Sequence, residues 1–95
     1  PTTYLDVANQ LSLLDLLTVL RNAGRTVVAI LHDLNQAARY ADQLVMMRDG
    51  HIVAQGETLQ VFTDGNIETV FGVRSRMLVD TVTGDMICIP SAQKA

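Results

Sequence analysis

The sequence predicts an α/β domain in which a helix and a parallel strand come first and antiparallel hairpins come after. Three observations carry this. Thr26 to Leu31 is an unbroken apolar run rich in β-branched residues, set between Gly24-Arg25 and His32-Asp33, which is the pattern of a strand buried on both faces. A helical apolar stripe precedes it, and helix then strand is the alternation that goes with a parallel sheet. Asp49-Gly50 and Thr83-Gly84 each stand between a pair of apolar runs, the short-range signal of a hairpin.

In chain order, Pro1 to Asp6 is a polar lead-in, and Asp6 stands where a carboxylate can cap the first free N–H groups of a helix. That helix runs from about Val7 to Ala23 on a stripe of Leu11, Leu14 and Val19 with their leucine neighbours, and Gly24 ends it. Arg21 and Arg25 sit favourably against the negative end of its dipole. After the strand, Asp33 can cap a second helix from Leu34 to about Ala41, whose inner face is Leu34, Ala37, Ala38 and Ala41. Leu44 to Met47 and His51 to Gln55 form the first hairpin, with the Met46-Met47 pair read as core filling. Short helices come next around Thr58 to Phe62 and Ile67 to Phe71, capping an edge of the domain and stopping at Gly72. Arg76 to Val82 and Asp85 to Pro90 form the last hairpin, and Ser91 to Ala95 is expected to fray.

Bulk properties narrow the classes of function. With 95 residues the chain is one domain at most, and 48% hydrophobic with 18% charged residues is the composition of a globular protein. The net charge of −3 and seven scattered basic residues do not make the concentrated basic face that a nucleic acid requires, so nucleic acid is not expected as a partner. The single cysteine, Cys88, lies in an apolar run and reads as a packed thiol in a reducing compartment. No apolar segment reaches the roughly 20 residues of a bilayer span, so membrane association is expected to go through a partner. The chain opens on Pro1 rather than Met, and an upstream portion is expected.

His32 and Asp33 come directly after the predicted strand, at the carboxyl edge where open α/β sheets hold ligands. His32 is therefore a candidate for chemistry, the alternative being an imidazole that closes a strand end or bonds its own backbone. Asp33 is a helix cap first and a site residue second. His51 comes after the Asp49-Gly50 turn and reads as surface. No metal site is expected, because His32, His51 and Cys88 lack ligand spacing and a fourth partner.

The segments P-T-T-Y-L-D, V-V-A-I-L-H-D-L-N-Q-A and D-Q-L-V-M-M-R-D-G-H-I-V-A-Q-G together resemble the carboxyl-terminal part of the ATP-binding subunit of ABC transporters. The resemblance covers nearly the whole chain and implies the carboxyl-terminal part of a P-loop NTPase fold. Residues 1–56 would be its D-loop, H-loop and core hairpin, and residues 57–95 a carboxyl-terminal extension. Pro1-Thr2 resembles the end of the family's D-E-P-[TS] element. Thr3, Tyr4, Leu5 and Asp6 resemble its D-loop, with Tyr4 where the family has a small residue, and His32 resembles its switch histidine. The H-D-L-N-Q-A-A-R-Y-A-D stretch and the hairpin are most similar to importer ATPases for iron chelates, ferric siderophores among them, with haem and vitamin B12 importers as near relatives.

The resemblance implies that His32 reaches the γ-phosphate of ATP, holding attacking water and catalytic glutamate in place, and that the D-loop acts across an ATP-bound dimer. Asp6 could then cap a helix and serve the loop together. A second copy of the subunit, membrane permease subunits and, indirectly, a periplasmic or surface substrate-binding protein would be its partners. Its place would be peripheral, on the cytoplasmic face of the bacterial inner membrane. ATP and Mg2+ would belong to the full-length protein. The phosphate loop G-x-x-x-x-G-K-[ST], the glutamine loop, the L-S-G-G-Q signature and the acids expected before Pro1 are absent. The chain alone is thus expected neither to hydrolyse ATP nor to hold the nucleotide. A non-transport ABC ATPase, or a dimerising regulatory module without catalysis, are the other readings. An unpaired strand edge at Thr26 to Leu31 further predicts self-association.

Overall fold

The run of leucines from Leu11 to Leu20 folds as a helix because it has no proline or glycine until Gly24. The computed structural model describes residues 3–94, with side chains over residues 8–91. Helix α1 spans Thr3–Asn22, and the chain divides into two compact units, residues 1–30 and 31–95.

In the first unit α1 closes on a Schellman motif. Gly24 adopts φ 90°, its N–H donates to the Arg21 carbonyl at 2.9 Å, and the Arg25 N–H reaches the Leu20 carbonyl at 3.1 Å. The positive φ is what requires glycine there. Two expectations are corrected at the other end and beyond. The helix already begins at Thr3, so Asp6 lies in its first turn and is not the cap residue. Thr26 to Leu31 makes no strand pairing among the described residues, and Val28 and Ile30 are 91% and 88% exposed. A parallel strand exists by its neighbours' hydrogen bonds, and none of the four described strands pairs with this segment. Of the α1 stripe only Leu14 is buried, while Leu13, Leu16 and Val19 are exposed.

The second unit begins with helix α2, Leu34–Tyr40, then strand β1, Gln43–Arg48, and strand β2, His51–Glu57. The two strands pair antiparallel through Asp49-Gly50, with φ 52° and 78°, the two positive angles of a type I′ turn. A bulge between Met46 and Met47 shifts the register. Strand alternation buries Met46, whereas Met47 points outward and is 54% exposed, so just one methionine of the pair fills the core.

Helix α3, Thr58–Val61, and helix α4, Asp64–Phe71, come next. The Thr63 side chain caps α4 by accepting from the Asn66 N–H at 3.2 Å, and Gly72 ends it at φ 70°. These helices are central to the core and do not merely cap an edge. Val61, Phe62, Ile67 and Val70 cluster with Met46 and Cys88, and Leu34, Ala38, Leu44, Val53 and Met77 pack around them. Strand β3, Val73–Val79, and strand β4, Met86–Lys94, form the second antiparallel pair. The expected fraying after Pro90 does not occur, since β4 continues to Lys94, which pairs with Val73. Their loop is organised by Asp80, which accepts from the Val82 N–H at 2.8 Å and whose carbonyl accepts from Gly84 at 2.7 Å.

Candidate functional site

The chemistry-bearing residues singled out in the sequence fall on both units. Thr3, Tyr4, Leu5 and Asp6 belong to the first, where their backbone is helical and their side chains lie outside the described residues, as do Pro1 and Thr2 altogether. His32 and Asp33 belong to the second, immediately ahead of α2.

His32 is exposed, and its side chain makes no hydrogen bond among the described residues. Its backbone is held by the turn that Asp33 opens. Asp33, in extended conformation at φ −90° and ψ 113°, turns its Oδ1 onto the N–H groups of Asn35 and Gln36, both at 3.0 Å. That carboxylate oxygen satisfies two donors of the first helical turn, which carry a partial positive charge. Asp33 is thus the helix cap read from the sequence, and its carboxylate is engaged there.

Sequence reasoning missed a residue two positions further on. The Asn35 carboxamide crosses to β4, where its Oδ1 accepts from the Cys88 N–H at 2.7 Å and its Nδ2 donates to the Cys88 carbonyl at 3.1 Å. A side-chain amide has the donor and acceptor of a peptide group, so Asn35 fills the place that a neighbouring strand would take. Nothing local signals a partner 53 positions away. An asparagine in the first turn with no capping duty was the available hint.

At the other end of α2, Arg39 Nε lies 3.7 Å from Asp85 Oδ2, an exposed pair that contributes little by itself. Between α2 and the β3–β4 loop runs an open groove of about 250 Å3, lined by Asp33, Arg39, Asp80 and Asp85 among others. Hydrogen bonds from the backbone of Val82 and Thr83 hold the Asp80 carboxyl below its ordinary range. Cys88 is buried, and that burial pushes its thiol up, the state of a packed and unreactive sulfur.

The arrangement offers an exposed imidazole just ahead of a braced helix start. Such a donor fits an anionic oxygen in front of it. Among the described residues no three His, Cys, Asp or Glu side chains gather to hold a metal ion. Among the same residues no helix is long and apolar enough to cross a membrane.

No protein-family model matches the chain. It is 45% identical over 96 residues to the ferric enterobactin transport ATP-binding protein FepC of Escherichia coli strain K12, an alignment covering 100% of this chain and 35% of that protein. It is 43% identical to the petrobactin import ATP-binding protein FpuD of Bacillus anthracis, over 95% of this chain and 33% of that one. The hemin import ATP-binding protein HmuV of Agrobacterium fabrum is 42% identical over 77% of this chain and 28% of its own length. The chain thus spans about a third of the length of the siderophore relatives it matches. Its fold matches a portion of a solved metal-chelate type ABC transporter in an inward-facing conformation, with a TM-score of 0.76 and 24% identity over 90% of this chain and 35% of that one.

Proposed function

We propose that this chain, whose relatives are ATP-binding proteins of siderophore and hemin importers, acts as a carboxyl-terminal part of such a subunit. The observation that carries the reading is similarity at 45% identity along the entire chain, through the His32 stretch and both hairpins. Every relative described above bears a transport or import name, which favours this reading over a repair or translation ATPase. The cargo class that fits those names is an iron chelate.

His32 is the switch histidine of this reading. Phosphoryl transfer is catalysed mainly by positioning and by donors aimed at developing charge, and an imidazole N–H that is free of internal partners supplies one such donor to a γ-phosphate oxygen. Asp33 serves that role indirectly: its carboxylate is spent on capping α2, which fixes the backbone on which His32 stands. The phosphate loop G-x-x-x-x-G-K-[ST] that would grip ATP does not occur in this sequence, and on this reading the nucleotide and its Mg2+ are held by other segments of the whole subunit. ATP bound between two subunits would meet His32 from one side while other segments hold its phosphates. Thr3, Tyr4, Leu5 and Asp6 are the D-loop, facing a second copy of the subunit. Membrane permease subunits, and through them a substrate-binding protein, complete the assembly at the cytoplasmic face.

ATP hydrolysis by the product of the whole gene, compared with the 95-residue chain, tests the reading. Hydrolysis by the whole product that His32→Ala abolishes is the expected result. Hydrolysis by the 95 residues alone, or full activity after His32→Ala, would refute it.

A further inference from the structure

Cys88 stands opposite Met77 in the β3–β4 pair, and both of its backbone hydrogen-bonding groups are taken by Asn35. The same Asn35 gives its own N–H to Asp33 Oδ1. One residue therefore joins two anchor points: its side chain grips β4, and its main chain grips the cap that stands next to His32. The two bonds to β4 fix both position and rotation of the carboxamide, as a single bond would not. At the far end of α2 the attachment to the β3–β4 loop is an exposed ion pair, Arg39 with Asp85, which solvent screens. The far end is separately tied to α3, where Thr58 donates its hydroxyl to the Ala41 carbonyl at 2.6 Å and its N–H to the Asp42 carbonyl at 3.1 Å, so Asn35 is the hydrogen-bonded tie between β4 and the end that carries His32. His32 has no hydrogen bond of its own among the described residues, so its aim depends on the backbone that Asn35 and Asp33 hold.

We propose that Asn35 is a positioning residue for His32, through which the β3–β4 ribbon sets where the imidazole points. The proposal rests on the switch reading of His32. It gives the carboxyl-terminal ribbon a task in the ATPase: the position of β4 at Cys88 fixes the start of α2 and with it the place of the imidazole.

The test uses two variants. In the 95-residue chain, Asn35→Ala is assessed by amide exchange at Cys88 and by the NMR signals of the His32 ring, with the Ile67 methyl signals reporting the intact core. Expected are Cys88 exchange faster by about tenfold, the scale of one lost net hydrogen bond, and displaced His32 ring signals while Ile67 stays put. Cys88 exchange that rises while the His32 signals do not move overturns the proposal. Should the Ile67 signals collapse, Asn35→Asp replaces it, keeping an acceptor for the Cys88 N–H and losing the donor to its carbonyl.

In the whole gene product Asn35→Ala should lower kcat for ATP hydrolysis with KM within about twofold, the pattern of a group felt in the transition state. If His32→Ala stops hydrolysis and Asn35→Ala leaves kcat unchanged, the positioning role fails alone. If His32→Ala leaves hydrolysis intact, the reading of His32 fails whatever Asn35 does.

Discussion

The carboxamide of Asn35 pairs with the backbone of Cys88 as one strand pairs with another, accepting at 2.7 Å and donating at 3.1 Å. The pair joins the first turn of α2 to a strand 53 positions further on, and Cys88 is itself 2% exposed beside Ile67 in the core. Removing the amide would strip two backbone groups of their partners at once. Asn35→Ala is expected to lower unfolding stability by about 1–3 kcal/mol, the usual cost of orphaning buried polar groups. Urea denaturation checks it, and a loss no greater than that of a surface substitution would mean that water replaces the amide.

Ile67 is fully buried at 0% exposure, whereas Leu59 on the neighbouring short helix is 81% exposed. Truncating the first leaves a cavity among Met46, Val61, Phe62 and Val70, and truncating the second leaves none. Ile67→Ala should cost about 2–5 kcal/mol and Leu59→Ala no more than about 0.5 kcal/mol. Thermal melts of the two variants side by side would show the contrast.

Asp80 titrates below its ordinary value of 3.8, first because the Val82 and Thr83 N–H groups bond its charged form. A carboxyl depressed in the folded state contributes stability that is fully present above the ordinary value and is lost as pH falls through the lowered one. The loop between β3 and β4 should therefore loosen in acid below about pH 4. Amide exchange at Val82 against pH measures it, and Asp80→Asn should make the profile flat in that window. An acid transition that survives Asp80→Asn would assign the effect to another group.

Val28 and Ile30 hold β-branched side chains at 91% and 88% exposure on a segment that has no strand partner among the described residues. Bare apolar backbone of this kind pairs with another chain when one is available. The 95-residue chain is expected to self-associate, and replacing both residues by serine should shift it toward monomer. Light scattering over a dilution series decides; a monomer at every concentration before substitution would end the idea.

Local signals in the sequence are legible where one or two residues decide the backbone. Asp33 caps α2, Asp49-Gly50 makes its type I′ turn, and Gly72 ends α4, because each of these rests on a side chain of fixed chemistry or on φ above zero. The buried, unreactive character of Cys88 was legible too, from the apolar run around it. His32 was recognisable as a candidate by its place after an apolar run and before a capped helix. Less legible was anything that depends on a distant neighbour. Thr26 to Leu31 has the composition of a buried strand, but composition cannot supply the pairing. Asp6 has the chemistry of a cap, but the helix starts three residues before it. Met46 and Met47 look alike in the sequence, and strand alternation separates them.

The sequence by itself determined the order of helices and hairpins, the turn residues between them and the likeness to iron-chelate importer ATP-binding proteins, since these come from local conformational preference and from residue identity. Tertiary structure alone decided that α3 and α4 build the core, that β4 runs on to Lys94, and that Asn35 stands where a strand would be. The physical reason is the same in each case: burial and hydrogen-bond pairing belong to two partners, and the second partner comes from elsewhere in the chain.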